Sequence, residues 1–169
     1  MFIVFSGLPG SGKSSIAVKL AARLKAVYLR IDSIEQGIRE AHVLAAGGEI
    51  GPAGYLAAYR LAADNLRLGL TVIADSVNPL KITRDAFQAV ARGAGVGMLE
   101  VEIVCSNAAL HRRRVETRPS TVAGLTLPTW EQVEKRDYEA WHRTPFRLDT
   151  ALLSVEECVD MLIAAMHRE

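Results

Sequence analysis

The chain has 169 residues, half of them hydrophobic and 23% charged, with a formal net charge of +1. This is the size of one ordinary domain with enough apolar side chains to bury a core, which excludes a disordered chain. The near-neutral charge excludes a general attraction to nucleic acids or anionic membranes, and no apolar run approaches the ~20 residues of a membrane span.

The hydrophobic pattern predicts strands that alternate with helices along the chain. Short apolar or β-branched runs predict strands at 2–6, 26–31, 71–74, 99–105 and 145–148. Apolar residues at helical spacing, with caps and glycine stops, predict helices at 13–24, 33–46, 53–67, 82–92, from Asn107 through 112–114, from Thr129 through Trp141, and at 155–166. This alternation favours a parallel sheet with helices on both faces. No linker or repeat divides the chain, so we expect one cytoplasmic domain over residues 1–169, as a monomer or dimer.

The most specific motif links the first predicted strand to the first helix. Its sequence, Gly7-Leu8-Pro9-Gly10-Ser11-Gly12-Lys13-Ser14, matches the Walker A pattern G-x-x-x-x-G-K-[ST] in full. The glycines allow the backbone to approach phosphate oxygens, and the helix that follows presents its positive end to the same anion. The pattern predicts a site for ATP and Mg²⁺. Lys13 contacts the β- and γ-phosphates, Ser14 ligates the metal, and Ser15 completes the nucleotide-binding residues.

Acidic residues follow three of the predicted strands, where ligands bind in open α/β sheets. Asp32 is a candidate to accept the proton of an attacking hydroxyl, to hold a water on Mg²⁺, or to cap the next helix. Asp75 is a candidate to orient Mg²⁺ or to bond to Ser14, and its alternative role is to begin a turn into an Asn-Pro dipeptide. For Asp149 we expect a cap or a turn.

A local basic cluster at 111–114 and Arg118 contrasts with the near-neutral charge. Arg114 and Arg118 are four residues apart, so a continuous helix would place them on one face. Arginines here would stabilise the charge that develops on a transferring phosphoryl group, and the alternative is a solvated face paired with Glu116. The next stretch, 119–127, predicts a mobile lid, within a lid region of about 112–127. Arg39, in the helix after Asp32, is a candidate to bind the acceptor substrate.

The chain resembles the small P-loop kinases, and most closely the branch of zeta toxins, chloramphenicol phosphotransferase and the kinase domain of polynucleotide kinase. These are P-loop ATP-binding proteins with an AAA-type domain. Residues 7–14, 30–33 and 73–78 and the arginines after the fourth strand carry the resemblance. It implies a three-layer α/β sandwich with a five-stranded parallel sheet in the order 2-3-1-4-5. It also implies that Asp32 activates the acceptor hydroxyl and that Arg114 and Arg118 are lid arginines.

These features predict a magnesium-dependent phosphotransferase that moves the γ-phosphate of ATP to a hydroxyl of a small molecule. One alternative is a nucleotide-dependent switch or NTPase that has no acceptor. Another is a 5′-hydroxyl nucleic-acid kinase, which the lack of a broad basic stripe disfavours. A second concave site beyond the γ-phosphate distinguishes a kinase from a switch, because only a kinase needs one.

Overall fold

A five-stranded parallel sheet with helices on both faces forms the framework of the protein in a computed structural model, which describes residues 1–44 and 48–166. The strands are β1 (Phe2–Ser6), β2 (Val27–Arg30), β3 (Val72–Asp75), β4 (Met98–Val104) and β5 (Phe146–Asp149). The helices are α1 (Lys13–Leu24), α2 (Ile31–Glu40), α3 (Ala53–Arg67), α4 (Lys81–Ala94), α5 (Ala108–Thr117), α6 (Trp130–Glu134) and α7 (Val155–Met166). The strand order is β2-β3-β1-β4-β5, which confirms the predicted order 2-3-1-4-5.

The central strand β1 is buried along its whole length, because it packs apolar side chains into both layers. Ile3 and Phe5 belong to one core with α1 and α7, while Phe2 and Val4 belong to a second core with α3 and α4. Parallel pairing aligns the carboxyl ends of the strands, and Asp75 of β3 pairs in register with both Phe5 of β1 and Arg30 of β2. The phosphate loop therefore begins beside the end of β3. Among the described helices, none has both the length and the hydropathy that crossing a membrane requires.

The helix predicted at 33–46 instead spans Ile31–Glu40, and its predicted end at 45–46 lies outside the described residues. Strand β2 passes directly into α2, whose N-cap is Arg30 with no side-chain capping bond. The alternative that Asp32 caps this helix is therefore wrong, because Asp32 already lies within its first turn. After Glu40, His42 adopts a left-handed backbone conformation with φ 52°, which a continuing helix does not allow.

The helix predicted from Thr129 through Trp141 is also shorter, because it ends at Glu134. Its capping box at Thr129 is present, but the chain that follows packs over the fully buried Arg84. The Arg84 guanidinium donates hydrogen bonds to the carbonyl oxygens of Glu139 (2.9 Å) and Ala140, and lies 4.1 Å from the centre of the Trp141 ring. A buried guanidinium needs acceptors, and irregular backbone supplies them where a helix would not.

Candidate active site

The phosphate loop joins β1 to α1, and its three glycines all have positive φ angles: 146° at Gly7, 82° at Gly10 and 95° at Gly12. L-residues with side chains rarely adopt these conformations. Space is also restricted: a Cβ atom on Gly7 would overlap the carbonyl oxygen of Ile103, and one on Gly10 would lie 2.5 Å from Val115 Cγ2. The glycines are therefore required by both backbone conformation and close packing.

Hydrogen bonds to its carbonyl groups hold the phosphate loop in place. Thr150 donates from its hydroxyl to the carbonyl oxygen of Ser11 (2.7 Å), and His111 Nε2 lies 2.9 Å from that of Pro9. No acceptor among the described residues receives a bond from the backbone N–H of Lys13 or Ser14. These N–H groups stand at the positive end of α1, so they are available to an anion.

Lys13 carries the charge that the predicted nucleotide site requires. Its side chain belongs to a residue only 6% exposed, and no ion pair with it is found among the described residues. Burial lowers the pKa of the Lys13 ammonium, and the carboxylates of Asp75 and Asp32 act in the opposite direction. A buried ammonium is costly without a close counter-charge, which a phosphate group at the loop would supply.

Asp75 supplies an oxygen that suits a metal ion. The Tyr28 hydroxyl donates to Asp75 Oδ2 (2.6 Å), while Oδ1 is buried and has no hydrogen-bond partner within the described residues. Together with the Ser14 hydroxyl, it provides the hard oxygen ligands that Mg²⁺ prefers. No group of three or more His, Cys, Asp or Glu side chains that could hold a metal ion is found in the described residues. The chemistry of the Ser14 hydroxyl and the Asp75 carboxylate therefore fits Mg²⁺, an ion that usually keeps phosphate and water oxygens among its ligands.

Tyr28 is a site residue that the sequence did not identify. It lies in β2, one strand away from Asp75, and burial and the Asp75 carboxylate both raise the pKa of its hydroxyl. The hydroxyl therefore stays protonated and remains a donor to Asp75. Nothing in the local sequence distinguishes Tyr28 from an ordinary strand residue, because its partner is 47 positions away.

Two cavities of similar size meet at the phosphate loop. The first, of 510 Å³, lies between the start of α1, Arg114 and Thr150. The second, of 490 Å³, lies between α2 and the segment around Thr126. Five lining residues are common to both: Lys13, Ser14, Arg30, Arg118 and Leu127. A group bound at Lys13 is therefore accessible from either side.

The two predicted lid arginines both reach the first cavity, but by different routes. Arg114 belongs to α5 and donates to the hydroxyl (2.7 Å) and carbonyl oxygen (3.1 Å) of Thr150. Arg118 lies beyond the helix end with an extended backbone, so the prediction of one continuous helical face is wrong. Burial lowers the pKa of Arg118, the Asp32 carboxylate opposes this, and Nε finds no partner in the described parts of the chain. Arg112 points elsewhere and pairs with Glu116, as the alternative of a solvated face predicts.

The predicted acceptor-side residues are separated by the structure. Asp32 lines the second cavity with a side chain that is 39% exposed, and it lies 3.7 Å from Arg30 Nε. Arg39 lines neither cavity; its exposed side chain lies 3.9 Å from Glu35 instead. Glu35 does line the second cavity, and its position three residues after Asp32 is the signal that could have identified it.

The predicted lid segment, 119–127, lies over both cavities. Pro119 and Thr121 line the first, Leu125 lines the second, and Leu127 lines both. Arg30 donates to the Thr121 hydroxyl (2.7 Å), which ties the segment to the end of β2.

Residues 2–136 match the AAA domain family. The chain belongs to this family. No curated protein sequence matches this chain. Among solved structures, a presumed kinase from Chloroflexus aurantiacus has a TM-score of 0.75 at 17% identity, over 99% of this chain and 96% of that one.

Two further structures share the architecture. Chaetomium thermophilum Kti12, in complex with ADP-AlF3, has a TM-score of 0.71 at 23% identity and covers 98% of each chain. A gluconokinase from Sinorhizobium meliloti has a TM-score of 0.64 at 20% identity, over 98% of this chain and 91% of its own. These similarities establish a P-loop kinase-like fold for this member of the AAA domain family.

Proposed function

We propose that this protein transfers the γ-phosphate of ATP to a hydroxyl group of a small molecule. The observation that carries the proposal is the pair of cavities that meet at Lys13 and Arg118. A nucleotide-dependent switch needs only the cavity at the phosphate loop. A phosphotransferase needs a second cavity on the far side of the reacting phosphate, and here that cavity contains the Asp32 carboxylate.

The first cavity is proposed to hold ATP. The free N–H groups at the start of α1 bind the phosphates, and Lys13 contacts the β- and γ-phosphates. Ser14 and Asp75 would hold Mg²⁺, which would neutralise charge on the phosphate oxygens. The complex of Kti12 contains ADP and AlF3, which supports nucleotide binding in the shared fold.

The second cavity is proposed to hold the acceptor. Asp32 accepts the proton of the acceptor hydroxyl while the hydroxyl oxygen forms a bond to the γ-phosphorus. The bond from that phosphorus to the β-phosphate oxygen breaks at the same time. The products are a phosphorylated acceptor and ADP. Lys13 and Arg118, which line both cavities, stabilise the charge that develops on the transferring group.

The chain's place in the branch of zeta toxins, chloramphenicol phosphotransferase and polynucleotide kinase is part of this proposal. Asp32, which lines the second cavity, and Arg114 and Arg118, which line the first, support it. The named activities of the gluconokinase and the presumed kinase also agree with phosphotransfer. The near-neutral charge favours a small-molecule acceptor over a nucleic acid.

The segment 119–127 is proposed to act as a lid that excludes water once both substrates are bound. Hydrogen exchange measured with and without a non-hydrolysable ATP analogue tests this. We expect added protection between residues 112 and 127 with the analogue. Equal exchange in both states would contradict a lid at this place.

Asp32→Asn tests the kinase proposal. The amide keeps the size of the carboxylate but cannot accept the proton, so we expect the transfer rate to fall by about 10²- to 10⁴-fold while ATP affinity changes little. The measurements are ATP–Mg²⁺ affinity and transfer rate at several Mg²⁺ concentrations. Asp64→Asn, an exposed change on α3, is the matched control.

The Mg²⁺ series separates two roles of Asp32. A rate that recovers at high Mg²⁺, together with weaker nucleotide binding, would make Asp32 a metal-shell residue and not the base. A rate equal to that of Asp64→Asn would remove Asp32 from the mechanism and contradict the proposal.

A further inference from the structure

The charged residues that belong to the second cavity alone are two carboxylates and one guanidinium, so their net charge is −1. Its cations Lys13, Arg30 and Arg118 also line the first cavity, where phosphates would engage them. What remains is Asp32, Glu35 and Arg136, together with the uncharged polar side chains of Thr126 and Gln132. With nucleotide bound, the second cavity has no unused excess of positive charge to attract an anionic acceptor.

Glu35 is held in this cavity by a specific packing arrangement. It lies on α2, one turn after Asp32, so both carboxylates project from the same face. Opposite it, the buried Gly54 lies in the first turn of α3. A Cβ atom on Gly54 would overlap Glu35 Cγ and lie 2.9 Å from Oε1. Glycine is unfavourable inside a helix, so its presence here is explained by the space that the Glu35 side chain occupies.

The Glu35 carboxylate is available to a ligand. Its side chain is 23% exposed, and the nearest cation, Arg39 NH2, is 3.9 Å from Oε2, beyond hydrogen-bond distance. No donor in the described part of the chain makes a hydrogen bond to this carboxylate. Burial raises the pKa of Glu35, as does the neighbouring Asp32, while Arg39 and Arg136 lower it. A partly buried acceptor group without a donor in the described residues is satisfied by a donor on the substrate.

We propose that the acceptor is a neutral polyhydroxylated molecule of sugar size, which presents one hydroxyl to Asp32 and a neighbouring hydroxyl to Glu35. The inference rests on the proposed phosphotransfer. Residues three apart on a helix have Cβ atoms ~5–6 Å apart, which is close enough for their two carboxylates to converge on neighbouring hydroxyls of one small polyol. Gln132 and Arg136 supply donors to the remaining oxygens of the acceptor, and a cavity of 490 Å³ accommodates such a molecule.

An acceptor panel provides the first test. ADP formation from ATP and Mg²⁺ is measured with four sets of compounds: neutral sugars and polyols, their deoxy analogues, sugar acids and sugar phosphates, and amino sugars. We expect transfer to at least one neutral polyol, and a KM raised ~10- to 100-fold for the analogue that lacks the neighbouring hydroxyl, as for a lost hydrogen bond to a charged group.

Substitutions provide the second test. Glu35→Gln is expected to raise the KM of the best polyol ~10- to 100-fold with little change in kcat, whereas Asp32→Asn lowers kcat. The deoxy analogue should lose little further on Glu35→Gln, since it lacks the group that Glu35 binds. Gly54→Ala displaces the same side chain and is expected to raise KM without removing a charge. Glu40→Gln, on the same helix but outside the cavity, is the control.

The outcomes separate this inference from the proposed function. Transfer confined to anionic acceptors or to amines, with a rate that depends on Asp32, would overturn the polyol inference and leave the kinase proposal standing. A Glu35→Gln KM equal to that of Glu40→Gln would also overturn it. Tight ATP binding without transfer to any of the four sets would contradict both.

Discussion

The two cavities that meet at Lys13 are built in different ways. The first includes main chain of the phosphate loop, with Gly10 and Gly12 at positive φ and free N–H groups at the start of α1. The second is shaped by side chains from α2, the segment after α5 and α6, which are distant in sequence. A phosphate is recognised by backbone geometry that a short motif encodes, whereas an acceptor is recognised by side chains that only packing brings together.

The largest expected effect comes from removing the charge at the junction of the cavities. Lys13→Ala should lower turnover by ~10³-fold or more and weaken ATP–Mg²⁺ binding, because a preorganised charge in a desolvated site is lost. Calorimetric titration and steady-state rates measure the two effects. Lys19→Ala, an exposed change on the same helix, should alter neither. Indistinguishable ATP titrations for Lys13→Ala and wild type would contradict the assignment of ATP to the cavity at Lys13.

A pair of glycine substitutions tests the role of the main chain in the first cavity. Gly10→Ala combines a φ of 82° with a close contact to Val115, so we expect a stability loss of ~1–3 kcal/mol and ATP affinity lowered ~10-fold or more. Gly37→Ala lies in α2 with no atom within 4 Å of the new Cβ, and should stabilise the protein by ~0.5–1 kcal/mol. Denaturant unfolding and ATP titration are the measurements. Equal effects of the two changes would contradict the close-packed loop.

The smallest expected effect concerns the support of Asp75. Tyr28→Phe removes the donor to Oδ2, so the Mg²⁺ concentration for half-maximal rate should rise ~10-fold, with a stability loss of ~1 kcal/mol. Tyr59→Phe also removes a hydroxyl hydrogen bond, to the Thr83 carbonyl oxygen, but away from the site. It should match the stability loss without changing the Mg²⁺ dependence. An equal Mg²⁺ shift in both variants would remove Tyr28 from the site.

Much of the nucleotide side was predictable from sequence because its signals are local. The phosphate loop is a continuous stretch whose glycines and lysine have fixed spacing, and the alternation of strands and helices predicts a parallel sheet. The family resemblance then predicted the strand order that the sheet has. The caps at Asn107 and Thr129 were likewise predictable, since a capping residue and its partner lie three positions apart.

The features that the sequence did not predict depend on contacts between distant parts of the chain. The helix predicted through Trp141 ends early because of Arg84. The buried guanidinium of Arg84 donates hydrogen bonds to carbonyl groups that lie 55 and 56 residues away in sequence. Gly54 leaves room for the Glu35 side chain, and the hydrophobic pattern of the sequence does not predict that contact. Arg118 leaves the face of α5 because the helix ends one residue before it.

The sequence by itself determined the conformation of the phosphate loop and the parallel sheet that supports it, because backbone conformation at glycines and a helix terminus are local properties. Only the tertiary structure decided that Lys13 and Arg118 border two cavities, that Tyr28 holds Asp75, and that Glu35 and not Arg39 lines the second cavity. These arrangements follow from close packing of side chains over long sequence separations, which determines direction and burial where spacing along the chain does not.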